Sequence, residues 1–127
     1  MVFGFKKKDA FDKKQFKLLK QGVDVWNEWR EDNPEESIDL KMANLVHVNL
    51  RGANLIRADL TGAELSGSIL SRADLRWVCF RGATLRETDL SRANLTGAYS
   101  SDPNLSTLPN DYVDFYGESR HRLGRRE

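Results

Sequence analysis

The chain of 127 residues has one cysteine, Cys79, and two histidines, His47 and His121. A single thiol excludes an internal disulfide framework and suits a reducing cytoplasm, which is the expected location. Two distant histidines, with no cysteine pair or carboxylate cluster at ligand spacing, exclude the usual metal sites. There are three prolines, and no apolar run is long enough to cross a bilayer. Met1-Val2-Phe3-Gly4-Phe5 meets Lys6-Lys7-Lys8 too early to form the apolar stretch of a secretory leader. No glycine motif that cradles phosphate appears, and no histidine stands in the sequence column of Cys79 to activate it. Neither sign of charge dominates: 20 basic residues face 19 acidic ones, a net charge of +1. That balance argues against a general polyanion binder and against an acidic decoy. The sequence gives no grounds for an enzyme, a cofactor or a small-molecule substrate.

What is present is a period. A leucine returns every fifth residue as Leu40, Leu45, Leu50, Leu55, Leu60, Leu65, Leu70, Leu75, Leu85, Leu90 and Leu95, with Phe80 in the same column. A smaller residue stands two places earlier: Ile38, Ala43, Val48, Ala53, Ala58, Ala63, Ser68, Ala73, Val78, Ala83, Thr88 and Ala93. Neither a helix nor an ordinary strand brings every fifth residue to one face. A fixed repeat of this kind predicts a solenoid. Within a unit such as Ala53-Asn54-Leu55-Ile56-Arg57, the first three residues alternate in, out, in, as an extended segment does. The last two are usually polar or glycine, as in Thr61-Gly62 and Ser66-Gly67, and read as a corner. One leucine and one small residue per side then fill a narrow interior.

The pattern A-(N/D)-L-x-x, as in Ala58-Asp59-Leu60, Ala73-Asp74-Leu75 and Ala93-Asn94-Leu95, resembles the pentapeptide-repeat proteins. The resemblance implies an all-β solenoid, a right-handed quadrilateral β-helix with four units per coil. About three coils are then expected over residues 38–97, with residues twenty apart stacked in columns. At strand spacing of about 4.8 Å per coil, the rod would be only roughly 15 Å tall. The departures at Ser68-Ile69, Val78-Cys79 and Thr84 are ones the family tolerates. The acids Asp39, Asp59, Asp74 and Asp89 fall in its polar slot and read as structural.

The ends of such a rod need covers. Residues 1–37 are expected to form a basic arm and a capping helix over about Asp12 to Glu31. In that helix Phe16, Leu19, Val23 and Trp26 follow helical spacing, while Leu18, Val25 and Trp29 widen the apolar face. Gly22 would allow close approach to the coil, and Asn33-Pro34 ends the helix. The segment from Leu18 to Arg30 also resembles the stretch that precedes the repeats in many family members. A cap is the preferred role, with a dedicated partner helix as the alternative. A twenty-residue helix is about 30 Å long and should overhang the rod. Residues 1–20 carry seven lysines against two acids, whereas 21–40 carry seven acids against one arginine. At the other end the pattern breaks after Gly97, and residues 98–127 are expected to form a short C-terminal cap and a disordered basic tail.

The outward columns supply candidate contacts. Arg57 and Trp77 should stack one coil apart, with Ile56 and Arg76 beside them. An arginine over an indole would form a cation–π pair worth about 0.5–1 kcal/mol when exposed. Tryptophan and arginine are also enriched in interface hot spots. Trp77 is read equally as packing under a terminal segment. A second face stacks Arg72 on Arg92, with Arg51 nearby, either as a site for an anion or acidic partner or as a solvated edge. With Arg57, Arg76, Arg81 and Arg86, seven arginines leave the rod net positive and short. That excludes the DNA mimicry of some acidic family members, which needs an extended negative surface. The expected function is therefore a non-enzymatic module that holds a rigid face, plus the basic arm, against an unidentified protein. Alternatives are docking of Lys6 to Lys20, with Phe3, Phe5 and Phe11, on an anionic membrane, and nucleic-acid binding through the arginines. Homodimerisation through an uncovered β-helix end is a further possibility.

Overall fold

The computed structural model of the chain describes residues 11–101. The basic arm through Ala10 and the C-terminal cap and tail beyond Ser101, as expected above, lie outside the described residues. The five-residue period produces one fixed backbone cycle. Each side is three residues long, and the turn that follows is closed by a bond such as Ala43 N–H to Leu40 C=O, at 3.1 Å. Polar-slot residues pair in parallel with the residue twenty positions on: Asp39 with Asp59, Asn44 with Glu64, Asn49 with Ile69, Asn54 with Asp74, and so on to Cys79 with Tyr99. A spacing of twenty is four units per coil. The pairing consists of isolated bridges, because a three-residue side leaves one residue in position to pair. The described residues thus form the expected β-helix solenoid with a helical N-terminal cover, but its sides are isolated bridges and not longer strands, and the cover is two helices. The coil also runs past Gly97, since Ala98 is buried and Tyr99 accepts from Phe80 N–H at 2.7 Å.

The interior follows the two apolar columns. Leu45, Leu50, Leu55, Leu60, Leu65, Leu70, Leu75, Phe80, Leu85 and Leu90 are all buried, as are most of the small residues; Val48 and Thr88 are half-buried. Each buried leucine contributes about 1.5–3 kcal/mol. Because the sides are so short, the corners carry most of the conformational demand. Every second corner residue has positive φ. Glycine meets this at Gly52, Gly62, Gly67, Gly82 and Gly97, but Met42, His47, Arg57, Arg72, Trp77, Glu87 and Arg92 adopt it too. A positive φ at the second central residue alone defines a type II turn.

The preference for Asn or Asp before the leucine has a direct cause. Its side-chain oxygen accepts the backbone N–H two residues on, which pins the first corner residue. Asn44 accepts from Val46 at 3.1 Å, Asn49 from Arg51 at 3.0 Å, Asp59 from Thr61 at 3.0 Å and Asn94 from Thr96 at 3.1 Å. These are side-chain-built turns that offer the backbone a local partner outside any ladder.

The N-terminal cover differs from the single helix expected. It is two helices, α1 (Lys13–Lys20) and α2 (Val23–Asp32). Asp12 caps α1 by accepting from Lys14 and Gln15 N–H at 2.9 and 3.0 Å. The break falls at Gln21-Gly22, where Gly22 has φ 125° and ψ 156°, a region open essentially to glycine alone. The chain therefore turns, and the long overhanging rod of helix does not form. Gly22 does not serve close approach either, since nothing lies within 4 Å of where its Cβ would be. Gly22→Ala is expected to cost about 1–3 kcal/mol through backbone strain alone, read from urea melts. An unchanged midpoint would show that the α1–α2 junction relaxes freely. Asn33 ends α2, as the Asn-Pro pair predicts, with its side-chain Nδ2 donating to Trp29 C=O at 2.9 Å.

Of the expected cap residues, Leu19 and Trp26 are fully buried, and Phe16, Val23 and Trp29 are partly buried against the core. Val25 does not widen this face; it is 38% exposed, lying about 100° around α2 from the buried Trp26. Phe11 packs on the Phe16 ring at 4.6 Å between centroids, so it is partly used within the cap rather than free for a membrane.

Candidate interaction face

The first coil has no coil before it, and the cap supplies the missing hydrogen bonds on two of its sides. Asp39 N–H donates to Gln15 Oε1 at 2.8 Å, and Asp39 C=O accepts from Asp12 N–H at 3.0 Å. Asn54 N–H donates to Asn27 Oδ1 at 2.8 Å, and Asn54 C=O accepts from Trp26 Nε1 at 2.8 Å. Gln15 also donates to Ser37 C=O at 2.8 Å. Each side thus has both edge groups satisfied, which blunts the pairing hazard of an open β end. Gln15 and Asn27 were missed in the sequence. Gln15 lies four residues before Leu19, and a polar residue at that spacing on a buried face was the available signal.

The candidate column of Ile56, Arg57, Arg76 and Trp77 is brought together at one corner of successive coils. Arg57 N–H donates to Arg76 C=O at 2.8 Å and Trp77 N–H to Thr96 C=O at 3.0 Å. Ile56 is half-buried, and Arg57, Arg76 and Trp77 are exposed, Trp77 to 50%. The expected Arg57–Trp77 cation–π pair is not formed. Among the described residues the cation–π contacts are Lys20 over Phe16 at 5.2 Å and Arg81 over Tyr99 at 5.8 Å. The left-handed corner directs the side chain toward the next coil, so the indole lies over Gly97, on the far side from Arg57. A Cβ on Gly97 would overlap the ring, just as one on Gly62 would overlap Met42 and one on Gly67 would overlap His47. Arg76 is engaged as well: Nε and Nη2 donate to Asp74 Oδ1 and Oδ2 at 2.8 and 2.7 Å. That carboxylate raises the Arg76 pKa.

Arg51, Arg72 and Arg92 are exposed at another corner. None of them forms an ion pair among the described residues, where the pairs are Lys41 with Asp39 and Asp59, and Arg76 with Asp74. Asp89 titrates below the ordinary carboxylate range, chiefly because the Ser91 hydroxyl and backbone N–H donate to it, with a smaller contribution from the charge of Arg51. Cys79 is a half-buried thiol 3.4 Å from Thr61 Oγ1. No group of His, Cys, Asp or Glu among the described residues could hold a metal ion. No helix among them is long and apolar enough to cross a membrane.

Beside the Ile56–Arg57 corner, the connection from α2 to the first coil forms a groove of about 810 Å³. Arg30 of α2, Ser37, Ile38, Lys41, Ile56 and Arg57 contribute to its walls, and Glu35, Glu36, Asp39 and Asp59 add carboxylates. Arg30 lies seven residues after Val23 and four after Trp26, on the packed face of α2, and was not singled out in the sequence.

A solenoid of stacked four-sided coils with a helical lid, and with its distinguishing side chains at corners, defines a repeat scaffold. The family model for pentapeptide repeats matches residues 43–82 and 68–99, with eight copies. Over residues 43–99 the chain is thus similar to the pentapeptide-repeat family. Among solved structures it is similar to a pentapeptide repeat protein, Rfr23, from the cyanobacterium Cyanothece 51142, with 33% identity and a TM-score of 0.36 over 54% of this chain and 50% of that one. It is also similar to a pentapeptide repeat protein of the Arabidopsis thaliana thylakoid lumen, with 30% identity and a TM-score of 0.31 over 61% of this chain and 54% of that one. The chain spans about half the length of the solved structures it matches. No curated protein matches it.

Proposed function

We propose that this protein is a non-enzymatic interaction module, a right-handed quadrilateral β-helix that presents the Ile56, Arg57, Arg76 and Trp77 corner to a protein partner in the cytoplasm. The observation that carries this reading is Trp77. A bulky aromatic is held at φ 60°, half exposed, on a corner that a glycine would occupy without strain. Six other non-glycine corner residues share this φ, and what sets Trp77 apart is a large, half-exposed indole held over Gly97 on a rigid coil. Tryptophan and arginine on a rigid support lose little entropy on binding, which favours them as anchors. Arg57, without an ion pair among the described residues, gives the corner a positive charge to steer an acidic partner surface.

The test is co-purification from the native lysate with the tagged wild-type chain and an Arg57→Glu/Trp77→Ala variant. A defined protein captured by the wild type and lost with the variant, at unchanged thermal stability, is the expected result. Equal capture by both would move the interaction away from this corner.

A further inference from the structure

Helical spacing carries Arg30 into the seam between α2 and the first coil, where it is 7% exposed. Its one hydrogen bond is a long one, from Nη1 to Asn33 C=O at 3.3 Å, and its Nε is buried without an acceptor. No carboxylate among the described residues pairs with it. An unpaired buried guanidinium is costly, and arginine does not escape by losing its proton. Burial lowers its pKa from the usual arginine value, in keeping with a charge that lacks a counter-ion. Arg76 shows what is missing. There Nε and Nη2 are both held by the oxygens of Asp74, whereas Nε of Arg30 has no acceptor.

We propose that the groove at Arg30 is a carboxylate-binding site, in which Arg30 and Arg57 hold an acidic side chain or a C-terminal carboxylate of a partner polypeptide. This rests on the interaction-module reading and names the chemistry of its partner. A planar guanidinium takes a carboxylate in two parallel hydrogen bonds, which gives direction as well as strength. The rest of the groove selects against larger anions. Lys41 already holds Asp39 at 3.0 Å and approaches Asp59 at 3.9 Å, and Glu35 and Glu36 bring further negative charge. A polyphosphate or nucleic acid meets that repulsion over several charges, whereas a single carboxylate meets it once. Nε is screened from water, so a two-point seat requires the chain that covers it to yield slightly.

The experiment follows the Arg30 Nε–H signal in the full chain labelled with ¹⁵N-arginine. The probes are sodium acetate, sodium phosphate, an end-blocked peptide with one central Asp, and its Asn counterpart. The expected result is a saturable shift with acetate and with the Asp peptide, and binding of the Asp peptide about tenfold tighter than that of the Asn peptide. Arg57→Gln should weaken the Asp peptide about tenfold at unchanged melting temperature, and in Arg30→Lys, followed at the Arg57 Nε–H signal, the peptide-induced shift should be lost. Because Arg30→Lys can also disturb folding, Arg57→Gln carries the test independently. No shift with acetate or the Asp peptide overturns the proposal, as does tighter binding of phosphate than of acetate. A response to acetate without one to the Asp peptide overturns the polypeptide assignment. Failure here with capture by the Trp77 corner intact leaves the module reading standing. Failure of capture with the Arg30 response intact refutes only the module reading.

Discussion

Leu60→Lys is expected to abolish folding, whereas Thr61→Lys, one residue on, should change stability by less than about 1 kcal/mol. Leu60 is fully buried, and its column is one leucine wide, so an ammonium there meets neither water nor a carboxylate. The interior offers no room for the side chain to turn outward, because Ala58 and Ala63 on either side are buried as well. Removing the leucine alone, as in Leu60→Ala, should cost about 2–5 kcal/mol. At the corner the outcome reverses. Thr61 sits two residues after Asp59 and donates Oγ1 to its carboxylate at 2.5 Å. Lys41 occupies the equivalent place one coil earlier and reaches Asp39 at 3.0 Å, so a lysine at 61 has a ready-made partner in Asp59. The measurement is circular dichroism with a urea melt of each variant. A folded Leu60→Lys, or equal loss in both, would contradict the inward register.

The coil was legible because its determinants are local and repeated. The leucine period, the small residues and the corner pairs each state a backbone requirement within five residues, and twenty-residue stacking follows once four units close a turn. The role of Asn and Asp as side-chain turn builders is equally local, yet the pattern alone presents them only as a polar slot. The cap was legible as an apolar face but not as a shape. Phe16, Leu19, Val23 and Trp26 keep helical spacing straight across Gly22, so periodicity cannot register the turn that the φ of 125° makes there. Gln15, Asn27 and Arg30 were illegible for another reason: they answer groups on the first coil or line a groove against it, and no feature of α1 or α2 alone calls for them. At the candidate corner the stacking of Arg57 and Trp77 followed from the period. The direction of the indole did not, since it depends on the left-handed backbone at a residue that is not glycine.

Trp26→Ala is expected to detach the cap from the coil while the later coils stay folded. The residue is fully buried and links α2 to the solenoid twice over, by packing and through Nε1 to Asn54 C=O at 2.8 Å. Truncating a buried tryptophan costs about 3–5 kcal/mol, and the carbonyl of Asn54 is left without its donor. Trp26→Phe, which keeps most of the volume and loses only the hydrogen bond, should cost about 1–2 kcal/mol. Hydrogen exchange separates local loss from global unfolding. The amides of Asp39 and Asn54, held by Gln15 and Asn27, should exchange rapidly in Trp26→Ala. The amide of Asp74, which donates to Ala53 C=O within the coil at 2.9 Å, should keep its protection. Loss of protection at all three would mean that the cap and the coil form one cooperative unit, so that the edge bonds are needed for the solenoid to exist. Retained protection at Asp39 and Asn54 would show that α1, through Gln15 and Asp12, holds the first coil without help from α2.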